Sequence, residues 1–297
     1  MSLLKKLAAV ATATALLTGL AACASSDSDA ELGSESNPVK LGVVGASDPY
    51  WDVYLEATEE EGIHVEIIDF ADYNQPNPAL SEGELDLNQF QHVIFLAQHN
   101  VASGDDLVPI GATAIYPLGL YSQKYDSVDD IKDGEQVIVP NDTSNQARAL
   151  LVLQSAGLIE LKDGGSIFST LADIEDSSRV EVKAADASFT ATSLADVAAA
   201  VVNNDFVTKA GIDPLSAIAV DDPSDPAAQA YINIFAARAD DKDNELFQRL
   251  VEIYQTTQAV QDGVLEVSGG TAILVDTPAS ELEDALAKVE ADVEANE

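Results

Sequence analysis

The residues with the most chemical content lie between Asp69 and His92, in the stretch DFADYNQPNPALSEGELDLNQFQH. Pro76 and Pro78 fix two backbone angles, remove two amide donors and bias Gln75 and Asn77 away from helix. Around them Phe70, Tyr73, Asn74, Asn77, Phe90 and His92 mix apolar rings with neutral hydrogen-bonding groups. That mixture suits the wall of a pocket for a small, partly apolar ligand. It also fits a surface loop anchored by two aromatics. Further along, Pro140-Asn141-Asp142-Thr143-Ser144 reads as a helix start with several candidate caps. A helix from about Ser144 to Ala156 carries Arg148 one turn in. An anion is favoured there by the helix end and by the guanidinium fork, and pairing with a neighbouring acid is the alternative. Asn233 is a polar group among apolar neighbours in AYINIFAA, and a buried amide needs partners that a ligand can supply.

Catalytic signatures are missing. The chain has no HExxH, no GxSxG elbow and no CxxC pair, and Gly42-x-x-Gly45 lacks the spacing of a dinucleotide fingerprint. His64, His92 and His99 have no metal-like spacing. Neighbouring acids such as Asp105-Asp106 and Asp129-Asp130 are expected by chance among 52 acidic residues. The expectation is a binding protein, not an enzyme, with no cofactor and no metal.

The elements that position these residues alternate. Val39 to Val44 reads as a strand, Tyr50 to Glu60 as a helix ended by Gly62, and Ile63 to Phe70 as a second strand. Strand, helix and strand in this order begin a parallel α/β sheet. The Asp69–His92 loop then falls at the carboxyl edge, where open parallel sheets place ligands. Within it, Asn77 to Gly83 forms a short helical turn and Glu84 to Leu87 a short strand, with a helix from Phe90 to Ala102. Thr113 to Ser122 is apolar and extended, either an edge strand or a crossover between lobes, and Ala230 to Ala237 reads as a second extended crossover. Gln136 to Val139 and Arg179 to Ala184 read as strands, and Leu194 to Val202 as helix or strand. Asn244 to Gly263 is helical, and Leu282, Leu286, Val289 and Val293 stripe a final helix that packs on the body.

The amino end reads as an export signal. Lys5 and Lys6 precede an apolar run from Leu7 to Leu20, too short to span a bilayer, which ends in Leu-Ala-Ala-Cys at Cys23. Cys23 is the single cysteine, placed for lipidation and not for a disulfide. Residues 24–37 are polar and acidic and read as a flexible tether. The formal charge of −38 disfavours nucleic acid as a partner, because phosphates are repelled.

Several motifs then recur in a known order. DYNQPNPALSEGELDLNQFQH, Tyr116-Pro117-Leu118-Gly119-Leu120-Tyr121-Ser122 and Val139-Pro140-Asn141-Asp142 with Asn145 and Arg148 resemble segments of the NlpA-type methionine-binding lipoproteins. Asn203 before Gly211-Ile212-Asp213-Pro214, and Tyr231-Ile232-Asn233, continue the likeness. At Thr192-Ser193 the chain departs from it, where the family commonly carries Arg-Ser. The resemblance implies an α/β, two-lobed periplasmic-binding-protein-like fold of type II, with the ligand cleft between the lobes and two crossover strands as hinge. It divides the chain into a signal over 1–22, a tether over 23–37, lobe I over 38–117 and 232–297, and lobe II over 118–231. It implies capture of L-methionine for an ABC importer, contact with its permease beside an ATPase, and anchoring by Cys23 on the outer face of the cytoplasmic membrane. Other cargoes are a methionine-containing dipeptide, D-methionine or another apolar amino acid; a surface interaction role is a further alternative. In this reading Phe70, Tyr73, Phe90 and Tyr116 hold the thioether chain. Arg148 takes the carboxylate with help from Asn145, Asn203 and Asn233 fix the amino group, and His92 bonds at the wall.

Overall fold

The computed structural model describes residues 30–223 and 226–296, so Cys23 and the segment before it fall outside the described residues. The chain opens as alternation requires. Strand β1 (Val39–Val43) is followed by helix α1 (Tyr50–Glu60), which ends where Gly62 takes a φ of 76°. Strand β2 (Val65–Asp69) then pairs parallel to β1.

The expected loop after β2 is shorter than its composition suggests. Pro76 starts a helix, α2 (Pro76–Ser81), where a missing N–H costs nothing. The segment Leu87–His92 is not loop, turn or helix but a fully buried strand, β3, paired parallel to β1. Helix α3 (Val93–Ser103) therefore begins three residues later than expected. The strand escaped detection because its sequence, LNQFQH, is mostly polar. Its amides are satisfied internally: Asn77 Nδ2 donates to Gln91 Oε1 at 2.7 Å, and Gln91 Nε2 and Asn88 Nδ2 donate to Asn77 Oδ1 at 2.6 and 2.9 Å. A buried strand can be polar when its partners are buried with it.

Strand β4 (Leu107–Ala112) and a late strand complete the first sheet, after which the chain runs through β5 (Ala114–Ile115) toward β6 (Gly119–Tyr121). β6 opens a second sheet with β7 (Gln136–Pro140), β8 (Glu181–Ala185), β9 (Ala199–Val202) and β10 (Ala219–Val220). Helix α4 (Thr143–Ser155) follows β7, α5 (Ala187–Ser193) follows β8 and α6 (Asn204–Val207) follows β9. The chain returns at β11 (Asn233–Arg238), inserted antiparallel between β3 and β4, so the first sheet runs β2-β1-β3-β11-β4. The expected single helix over Asn244 to Gly263 is two, α7 (Glu245–Thr256) and α8 (Gln258–Val267), because Thr257 at φ −77°, ψ 105° breaks it. β12 (Ile273–Leu274) pairs with β5, and α9 (Ala279–Asn296) ends the chain.

Trp51, Tyr54, Phe235, Phe247 and Tyr254 lead one core of the first sheet, and Leu80, Ile94, Leu96 and Ile234 lead another. The stripe Leu282, Leu286, Val289 and Val293 of α9 belongs to the second of these, so the final helix packs on the body as expected. A third core fills the second sheet, and a fourth joins Val44, Tyr73 and Phe90 to Tyr121, Ile138, Phe206 and Val207 of the other sheet. The tether ends earlier than its composition implied. Residues 30–37 form a turn in which Gly33, at φ 88°, accepts from His64 N at 2.7 Å, while Leu32 packs on the first core.

Candidate functional site

A cavity of about 390 Å³ lies between the two sheets. From the first-sheet side, Tyr73, Phe90, His92, Phe95 and Asn233 face it. From the second come Leu118, Asn145, Arg148, Asn203 and Asn204, and Gln91, Tyr116 and Pro117 complete the lining. Eight of the nine residues expected to bind are thus brought together. Phe70 is not among the lining residues; as the terminus of the β2 run, it packs near Leu85 and beside Gly42, behind the wall. Thr192, where the resemblance breaks, does not line the cavity either. Its hydroxyl donates to Phe189 O at 2.9 Å within α5.

The apolar end is a cluster of rings. Tyr73 and Phe90 lie 5.9 Å apart, Phe95 stands edge-on to Phe90 at 5.7 Å, and Phe206 reaches Tyr73 at 5.2 Å. The Tyr73 hydroxyl donates across the lobes to Asp205 Oδ2 at 2.7 Å. Phe95 was missed by sequence reasoning, although its place three residues after His92 was a helical signal. His92 is the N-cap of α3 and Phe95 N donates to its Nδ1 at 3.1 Å.

That bond fixes the histidine. Burial, with Arg148 nearby, pushes the His92 pKa down to about 3, so the ring is neutral. With Nδ1 accepting, Nε2 carries the proton and donates to Asn145 Oδ1 at 3.4 Å. Asn145 Oδ1 also accepts from Asn203 Nδ2 at 2.9 Å, and Asn145 Nδ2 donates to Asp142 Oδ1 at 2.8 Å. Asp142 is the N-cap of α4 and accepts from Asn145 N at 3.0 Å, which locks the amide in place. The consequence falls on Asn203. Its Nδ2 donates to Asn145, and its buried Oδ1 has no partner among the described residues. Among the described residues, the side chain of Asn233, at the start of β11, makes one long bond, from Nδ2 to Tyr231 O at 3.5 Å.

Arg148 is 5 % exposed. Of the two alternatives the sequence left open, pairing with an acid is present: Nε donates to Asp221 Oδ2 at 2.6 Å, and Asp221 Oδ1 in turn accepts from Leu118 N at 2.7 Å. Nη2 donates to Tyr116 O at 2.8 Å, and the guanidinium lies 4.2 Å from the centre of the Tyr231 ring. These contacts fix the plane of the guanidinium and use two of its five N–H groups; the side chain still lines the cavity. A cation at one place, an unpartnered acceptor at another and an aromatic wall describe a site for a small zwitterion with an apolar tail.

Two sheets joined by two crossovers, with such a cavity between them, define a two-lobed solute-binding protein. The chain belongs to the NlpA lipoprotein family, whose model matches residues 39–274. It is 38 % identical over 257 residues to the D-methionine-binding lipoprotein MetQ of Salmonella typhi, covering 84 % of this chain and 91 % of that protein. Among solved structures, protein PG110 of Staphylococcus aureus is 38 % identical with a TM-score of 0.80, covering 84 % of this chain and 99 % of that one. The substrate-binding protein of a methionine transporter from Streptococcus pneumoniae is 37 % identical with a TM-score of 0.75, covering 80 % and 95 %. The family is one of binding proteins and not of enzymes.

Proposed function

We propose that the chain captures methionine in the cavity between its lobes and delivers it to an ABC importer. The observation that carries this reading is the juxtaposition, in one cavity, of the Arg148 guanidinium, the unpartnered Asn203 Oδ1 and the Tyr73–Phe90–Phe95 rings. In this reading Arg148 binds the carboxylate through the N–H groups it has left. Asn203 accepts from the ammonium with Asn233 beside it, while Asn145 and neutral His92 hold Asn203 in register. The thioether lies against the three rings and Tyr116, each sulfur–aromatic contact contributing on the order of 0.3–1.5 kcal/mol. Because both lobes line the cavity, the ligand stabilises the form in which they touch.

The cargo in this reading is L-methionine. D-Methionine is the second reading, favoured by the name of the Salmonella relative. Lobe I spans 38–117 and 232–297 and lobe II 118–231, with Cys23 lipidated and anchoring the protein on the outer face of the cytoplasmic membrane, where the permease is met directly. The test is mass spectrometry of ligand released on denaturing the purified protein, followed by calorimetry with each enantiomer. Released methionine and tighter binding of the L form are expected. An empty protein that takes up neither enantiomer would sink the reading.

A further inference from the structure

A second cavity, of about 470 Å³, shares Tyr116, Pro117 and Asn204 with the first. Its ring-bearing walls are Tyr50, Tyr116 and Tyr121, and its two charged lining groups are Asp48 and Asp205; no lysine, arginine or histidine lines it. Tyr50 is 7 % exposed and lines the cavity. Beyond burial and the neighbouring tyrosines, both carboxylates push that phenol further above its ordinary range. Burial lifts Asp48 to about 6 and Asp205 to about 7, and Asp48 adds to the rise at Asp205. Lys209 opposes both shifts but is exposed and does not line the cavity. Tyr73 and Asn204 each satisfy one oxygen of Asp205, at 2.7 and 2.6 Å.

We propose that this second cavity binds a small organic cation, an alkyl or quaternary ammonium, between the carboxylates of Asp48 and Asp205 and the rings of Tyr50, Tyr116 and Tyr121. Two carboxylates facing one enclosed space repel each other, and a cation between them relieves both. The tyrosine faces attract the same charge, and they favour one that carries carbon. A bare divalent metal wants a cage of six or more oxygens, which two carboxylates, one of them already bonded at both oxygens, do not offer. An anion meets only repulsion. Asp48 and Tyr50 follow the first strand of one sheet, while Tyr121 and Asp205 flank strands of the other, so the occupant bridges the lobes. The shared Tyr116 and Asn204 couple it to the first cavity, and any coupling between the two ligands is reciprocal.

The site stands whatever the first cavity holds. The test is calorimetry and saturation-transfer NMR on the purified chain with tetramethylammonium and butylammonium chlorides, against sodium chloride at equal ionic strength. Saturable binding of at least one ammonium is expected, weakened tenfold or more by Asp48→Asn and abolished by Asp48→Lys, which supplies its own ammonium. Asp48 is half-exposed, and thermal melting checks that each variant is folded. Arg148→Ala is expected to leave the ammonium affinity within twofold, which separates this site from the first. No saturable signal up to tens of millimolar, or equal affinity in Asp48→Asn, Asp48→Lys and the parent, would overturn the proposal.

Discussion

Replacing Arg148 tests the electrostatic half of the binding site, and its size follows from the contacts. The guanidinium is buried, held by Asp221 at 2.6 Å and Tyr116 O at 2.8 Å, and lines the cavity. Two charge-assisted bonds to a carboxylate are each worth about 1.5–3 kcal/mol, so Arg148→Ala removes roughly 3–6 kcal/mol of binding, two to four decades in Kd. Arg148→Lys keeps the charge but loses the fork, and roughly one to two decades are expected. Neither change unfolds the protein. The Asp221 side chain is 23 % exposed and can turn to water, so the structural cost is about 1–3 kcal/mol, a few degrees in Tm for each kilocalorie. The assay is calorimetry with methionine at 25 °C, after a melting curve confirms folding. A folded Arg148→Ala protein whose Kd lies within threefold of the parent would refute the assignment of the carboxylate to Arg148.

Three further outcomes follow. His92 has a folded pKa pushed down to about 3 against about 6.5 in the unfolded chain, so only the unfolded chain takes the proton between those values. Its contribution is fully present above pH 6.5 and is lost as pH falls toward 3, at about 1.4 kcal/mol per unit; urea melts of the parent should show that slope and His92→Gln should flatten it. Tyr73→Phe deletes the 2.7 Å bond to Asp205 across the lobes, and stopped-flow release of methionine should quicken about tenfold, or roughly 1.4 kcal/mol. Unchanged release would mean that this bond does not hold the lobes together. Asn77→Leu strands the buried amides of Asn88 and Gln91 and should cost about 2–4 kcal/mol in denaturant melts, with the methionine Kd much less affected.

How much of this was legible in the sequence depends on which signal each element carried. The alternating start, β1 to β2, is written in apolar runs with a glycine stop, and α9 in its stripe of four apolar residues. β3 could not be read that way. Its stability comes from amide partners, chiefly Asn77, that only the fold brings alongside, so polarity masqueraded as loop. The helical turn expected over Asn77 to Gly83 is present as α2; proline misled only in biasing Asn77 away from helix, since Pro76 starts that helix. In the site, Arg148 and Asn145 were visible as a capped helix start, whereas Asn203 was named only through the family resemblance, and its unpartnered oxygen is a fact of packing. Asp221 was invisible: it lies 73 residues from the arginine it orients. Phe70 shows the reverse error, since an aromatic in the right stretch can still belong to the wall's support.

The account stands or falls on what occupies the space between the lobes, and a crystal structure of the chain with methionine tests that most directly. It predicts the carboxylate within hydrogen-bonding distance of Arg148, the ammonium on Asn203 Oδ1, and the sulfur among Tyr73, Phe90 and Phe95. Methionine bound elsewhere, or lying in this cavity with its carboxylate away from Arg148, would contradict it.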